Sequence, residues 1–172
     1  MRTLLLPDAG PLITLAYADA LDLLLASGWS VQIVDMVLHE VTRNATPTST
    51  AIGDWVRLHA LPVLSTNTMK YHLEQLASLG KSARTANLGE IAIQEVMNSY
   101  ALTDSQTTAV FLFEDHRIAS AEFLLPENCR KVSTRAYLTF LQETGALPSA
   151  LAVERRAIQN GRHFSSLRFP PD

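Results

Sequence analysis

The sequence predicts an α/β protein built on a mainly parallel sheet, on three observations. Two apolar runs, Leu4-Leu5-Leu6 and Ala109-Val110-Phe111-Leu112-Phe113, are short and end abruptly in turn or acidic residues, as strands buried on both faces do. Stretches with helical spacing lie between and after them, and such alternation marks an α/β fold. Both runs also end in acid, Asp8 in one and Glu114-Asp115 in the other, and ligands in open parallel sheets bind beyond the carboxyl ends of the strands.

The chain has 172 residues, enough for one domain with a substantial core and short for two. Apolar residues at 47% and charged residues at 18% are ordinary for a globular protein. A net charge of −3, from 14 basic and 17 acidic residues, argues against gripping nucleic acid by bulk charge and leaves local basic patches as the alternative. The single Cys129 rules out an internal disulfide and a multi-cysteine zinc site. Asp19 and Asp22 interrupt the apolar segment 12–29, and Pro7 and Asp8 break any signal-peptide core. No export or membrane segment is expected, which makes the cytoplasm the expected compartment.

Taken in order, residues 12–27 read as one or two helices with Asp19 and Asp22 on a solvated face, stopped by Gly28. A second strand covers 31–34, and Asp35 stands where a helix cap belongs, before a helix over 36–43 that carries Glu40. A polar loop over 44–50 and a short helix over 52–59 follow, then a third strand over 61–64, interrupted by Pro62. Helical spacing over 69–79 leads into a polar, basic connector at 80–87, and 88–100 is the clearest helix in the chain. The strand at 109–113 comes next. A short strand over 130–132, a helix over 134–143 and a last helix opened by Pro148 and Ser149 and running to 159 complete the domain, 1–159; the tail, 160–172, is expected to be loosely held.

On a helical wheel Glu90 lies within about 60° of Ile93 and about 20° of Met97, whereas Glu95 lies about 140° away on the wet side. Glu40 stacks in the same way over Met36 and Val37. An ionised acid on a buried helix face is costly without a partner. Two such acids together with Asp8 and Asp115 at strand ends would repel one another unless a cation sits among them, and a hard divalent ion suits oxygen ligands. Each acid taken alone is equally compatible with a structural role: Asp8 as a helix cap, the others paired with bases such as Arg43 or Arg117.

Four segments together resemble the PIN-domain ribonucleases, most closely the VapC-like toxin branch. Leu4 to Ile13 around Asp8 is similar to the first acidic motif of that family, and Val34 to Val41 around Glu40 to its second. Leu88-Gly89-Glu90 matches a Gly-Glu form of the third, and Leu112 to Ala119 around Asp115 the fourth. The segment from Thr134 to Ser149 is also similar to that branch. Three departures stand out: Ala9 follows Asp8 and Phe113 stands two before Asp115, where many members carry hydroxyl residues, and the 25 residues from Glu90 to Asp115 exceed the usual spacing, which implies an enlarged loop around 104–108.

The resemblance implies a single-domain three-layer α/β/α sandwich and a metal-dependent endoribonuclease, the toxin of a toxin–antitoxin pair. Asp8, Glu40, Glu90 and Asp115 would hold Mg²⁺ or Mn²⁺, with Glu114 as second choice beside Asp115, and a metal-activated water would hydrolyse the phosphodiester. RNA phosphates would meet Arg43, Lys81, Arg84 and Arg117. His39 and His116 are expected to be structural or surface residues. The resemblance further implies a small antitoxin partner and a homodimer. The alternatives are a degenerate PIN domain that only binds RNA or a partner, and a receiver-like phosphoacceptor, for which Asp8 stands alone and Lys131 comes too early.

Overall fold

A computed structural model describes residues 2–79, 87–104, 106–114 and 125–163. Strand β1, Arg2–Pro7, runs directly into helix α1, Ala9–Tyr17, and a short 3-10 turn at Leu21–Leu24 follows. Gly28 then turns the chain at a φ of 70°. The expected second strand is present as two pieces, β2 (Ser30–Val31) and β3 (Ile33–Val34), which serve different neighbours. The backbone N–H of Gln32 donates to Leu5 O at 3.1 Å, and that of Ile33 donates to Pro62 O at 3.0 Å. The chain thus passes from pairing with β1 to pairing with β4, Val63–Leu64.

Helix α2, Asp35–Thr42, starts at once from β3. Helix α3 spans Pro47–Leu58 and begins five residues before the expected start at 52. Thr46 and Ser49 form a reciprocal capping box with Pro47 in the first turn, so the polar stretch expected as a loop is instead a helix start. Helix α4, Asn67–Leu79, and helix α5, Leu88–Thr103, lead to β5, Thr107–Phe113. Of the enlarged loop expected at 104–108, residue 105 lies outside the described residues; β5 already begins at Thr107, and Asp104 accepts from Thr107 Oγ1 at 2.6 Å. Strand β6, Cys129–Ser133, leads into α6, Thr134–Glu143, and α7, Ala150–Gln159, closes the described chain.

Four parallel strands form the central sheet in the order β2-β1-β5-β6, and β3-β4 form a parallel pair beside it. Every side chain from Ala109 to Phe113 is buried. Because successive strand residues point to opposite faces, β5 is covered on both sides. Helices α1, α5 and α6 all contact it. The fold is therefore α/β with a mainly parallel sheet, compatible with a three-layer sandwich. No described helix is long and apolar enough to cross a membrane.

Of the expected tail, residues 160–163 are described and 164–172 lie outside the described residues. Asn160 Nδ2 donates to Tyr17 O at 2.7 Å, and Arg162 reaches Thr14 Oγ1 with Nε at 2.9 Å. The same guanidinium pairs with Glu114 at 2.8 Å. An apolar count misses these contacts, which rest on one amide and one guanidinium.

Candidate functional site

Asp8 and Glu114 leave adjacent strands, β1 and β5, at the same edge of the sheet, and the Asp8 backbone N–H donates to Leu112 O at 2.9 Å. Asp8 occupies the cap position of α1 yet makes no side-chain cap hydrogen bond. Helix capping, the plainest structural role for this acid, is therefore not what its carboxylate does.

The meeting point is Gly89, the second residue of α5. Its backbone N–H donates to Glu40 Oε1 at 3.1 Å. A Cβ built on Gly89 would lie 2.7 Å from Glu40 Oε2 and 3.5 Å from Asp8 Oδ1. The two carboxylate oxygens are thus no further apart than the sum of those distances, and the absence of a side chain at Gly89 makes room for both. Burial raises the Glu40 pKa above its ordinary value; the Gly89 N–H and Arg43 pull it back, and Glu90 pushes it up again. Glu90, in the first turn of α5, therefore stands within electrostatic reach of Glu40.

Lys131 completes the surroundings and was not legible as a site residue. Cys129 Sγ faces Met97 O on α5 at 3.9 Å. Lys131, two residues along β6, lies on the same face, and Glu90 is two helical turns N-terminal of Met97 on one helix face. Burial lowers the Lys131 pKa and Glu90 raises it, in keeping with that geometry. Strand alternation counted from a buried Cys129 is the signal that would have found it.

Not every expected residue joins. Glu114 is buried, accepts from Thr14 Oγ1 at 2.7 Å and from Arg162 at 2.8 Å, and packs against Gly10, where a Cβ would meet its own Cβ at 2.8 Å. Glu114, the second-choice ligand, is paired with Arg162 and ties β5 to α1. Asp35 accepts from Met36 N, Thr66 N and Thr66 Oγ1, a structural role as expected. Arg43 is exposed at the end of α2 and acts electrostatically on Glu40. His39 packs edge-on against His72 with ring centroids 5.6 Å apart. Asp115, His116, Arg117, Lys81 and Arg84 lie outside the described residues.

Glu95 corrects the reading of a merely wet face. Its two oxygens accept from the backbone N–H groups and side chains of Asn67 and Thr68, at 2.7–3.0 Å, capping the start of α4. Burial opposes its charge, but these donors outweigh it and hold the carboxyl below its ordinary value. Glu95→Gln should therefore destabilise the fold by roughly 0.5–2 kcal/mol, the range for a lost helix cap, and leave the acids at Gly89 in place. A depressed folded pKa contributes stability above the unfolded value near 4.5, lost as pH falls through the folded value. Melting curves from pH 3 to 7 check this: the gap between wild type and variant should close on the acid side.

A larger groove, about 660 Å³, lies between the end of α1 and α3 and includes Asp19, Asp22 and Asp54. Asp22 accepts from Trp55 Nε1 and faces His59, and Asp54 pairs with Arg57, so two of its acids already serve the protein. Among the described residues no group of three or more His, Cys, Asp or Glu is gathered tightly enough to hold a metal. Fold and site together define an α/β protein with a carboxylate pair, flanked by a third acid and two cations, at the carboxyl edge of a parallel sheet. The chain matches no protein-family model, no curated protein and no solved structure.

Proposed function

We propose that the chain is a PIN-type endoribonuclease dependent on Mg²⁺ or Mn²⁺, the toxin of a toxin–antitoxin pair. The observation that supports this most is the convergence of Asp8, Glu40 and the Gly89 N–H, from three distant segments, beyond the ends of the parallel strands. The donors are all hard oxygens, which fit these ions, and Mg²⁺ is commonly held by only one or two carboxylates, with water and substrate phosphates completing its shell. Asp8 and Glu40 would hold the ion, with Glu90 beside them and Asp115 as the fourth expected ligand. Such an ion, when bound, supplies Lewis acidity and an activated water, so no side-chain nucleophile is required.

The remaining work falls to the chain's own groups. The Gly89 N–H fixes the orientation of the Glu40 carboxylate. Lys131 and Arg43 offset the acids and stand where phosphate oxygens of RNA would be met. A small antitoxin covering the acids, a homodimer and a cytoplasmic location belong to the same proposal. The second reading, a PIN-like module that binds RNA or a partner without cutting, is favoured by Ala9 and Phe113 in place of hydroxyls.

The test is incubation of the purified chain with RNA in Mg²⁺ or Mn²⁺. Cleavage should vanish in chelator and in Glu90→Gln. It should survive a single 2′-deoxynucleotide at the cut site, because water rather than the 2′-hydroxyl attacks. Ion binding without cleavage would support the non-catalytic module, and neither ion binding nor cleavage would refute the nuclease.

A further inference from the structure

Asp8 stands at a helix start that its own side chain does little to hold. Its carboxylate makes no cap hydrogen bond, and α1 carries no acid in its first turn. The first helical hydrogen bond, from the Leu12 N–H to Asp8 O, is long at 3.4 Å. Helix starts held only in this way fray. An acid at such a start keeps its place beside Glu40 only if something else fixes the helix.

A clasp of side chains in the second turn of α1 does so. Thr14 Oγ1 donates to Glu114 Oε2 at 2.7 Å, Arg162 Nη2 donates to the same oxygen at 2.8 Å, and Arg162 Nε donates to Thr14 Oγ1 at 2.9 Å. The hydrogen bonds close a ring. Thr14 is 1% exposed and Glu114 6%, so water competes little for them. Gly10 seals the clasp: a Cβ there would lie 2.8 Å from Glu114 Cβ, so the first turn of α1 rests on the end of β5 with no side chain between. Asp8 itself is tied to the same strand, its N–H donating to Leu112 O at 2.9 Å. Arg162 comes from beyond α7, at the far end of the chain, and forks onto both partners as a lysine could not. Glu114 stripped of the cation that touches it would be a buried charge with a strong tendency to turn out to water.

We propose that Arg162 is a positioning residue for the carboxylate pair. Through Glu114 and Thr14 it holds the start of α1 against β5, and so keeps the Asp8 carboxylate in place beside Glu40. The catalytic consequence of this clasp rests on the ribonuclease reading; its geometry does not.

The experiment uses the full chain and two measurements, amide hydrogen exchange at Asp8 without metal and RNA cleavage kinetics in Mn²⁺. Arg162→Met should speed exchange at Asp8 about tenfold relative to the middle of β5, the scale of one lost charge-assisted hydrogen bond. It should lower kcat about tenfold or more with KM unchanged, as a small displacement of a reacting group does. Arg162→Lys, which keeps the charge and loses the fork, should fall between. Thr14→Val should repeat the Arg162→Met pattern, and Thr14→Ser should restore wild-type values. Should Arg162→Met fail to fold, the two Thr14 variants decide. Asn160→Ala controls for mere anchoring of the chain end. It frees the same segment from Tyr17 O, at the other end of α1, and should lower Tm while leaving Asp8 exchange and kcat unchanged.

Wild-type exchange at Asp8 in Arg162→Met and Thr14→Val would overturn the proposal and leave the nuclease standing. Wild-type kcat in both, or an equal loss of kcat in Asn160→Ala, would do the same. Fast Asp8 exchange in these variants of a chain that cuts no RNA would sink the nuclease and keep the clasp.

Discussion

Gly89→Ala should leave the protein folded and cut ion-dependent RNA cleavage by about 100-fold, the scale of an ångström-sized misplacement in an active site. The new methyl would sit 2.7 Å from Glu40 Oε2 and 3.3 Å from its Cδ, well inside van der Waals contact. The atom it meets is the tip of a flexible side chain, so Glu40 swings away rather than the helix backing off. Alanine also favours the helix by about 1 kcal/mol over glycine, so the melting temperature should hold or rise while activity falls. Melting curves, circular dichroism and initial cleavage rates check the separation. A Gly89→Ala protein that cuts RNA at the wild-type rate would remove Glu40 from the chemistry.

Asp8→Asn should melt higher than wild type in chelator and cleave no RNA. Asp8 and Glu40 both press on Gly89, and Glu90 acts on Glu40, so without a cation the folded state concentrates negative charge. Relief of about 1 kcal/mol would raise Tm by about 2–4 °C in a chain of this size. Divalent ion should reverse the order: saturation at a hundred times Kd stabilises wild type by about 2.7 kcal/mol, and the variant, short of one ligand, much less. The pH dependence has a definite sign. Folding raises the Glu40 pKa above 4.5, so the folded state holds that proton more tightly. Stability in chelator therefore falls as pH rises from the unfolded value through the folded one; burial is the main cause and Glu90 adds to it, so Glu90→Gln should flatten that slope. Paired melting curves with and without the ion decide the matter. A wild type indifferent to millimolar divalent ion would deprive the acids of their proposed role.

Lys131 and Glu95 show where an outward or inward assignment is not enough. A helical wheel correctly separated Glu90 from Glu95, because it reports which side of its own helix a residue occupies. It says nothing of what stands opposite. The start of α4 stands opposite Glu95, and its free N–H groups turn an acid expected in solvent into a cap. Lys131 was weighed only by its distance along the chain, whereas its place beside Glu90 follows from the face of β6 on which it lies.

What the sequence determined by itself was local. The alternation of apolar runs and helical periods specified α/β with parallel strands, and α6 begins and ends where its own residues place it, Thr134–Glu143. Acids at the ends of strands and on the inward face of α5 were visible for the same reason, since burial is written in short-range periodicity. The tertiary structure alone decided which acids come together and which are taken up in other pairings. Glu114, read as a ligand beside Asp115, pairs with Arg162 far along the chain, and Gly10 admits it to the core. Asp8 and Glu40 meet at a glycine, whose missing side chain leaves room for both carboxylates. Partners of this kind come from crossings of distant segments, and no period in the chain encodes where those crossings fall.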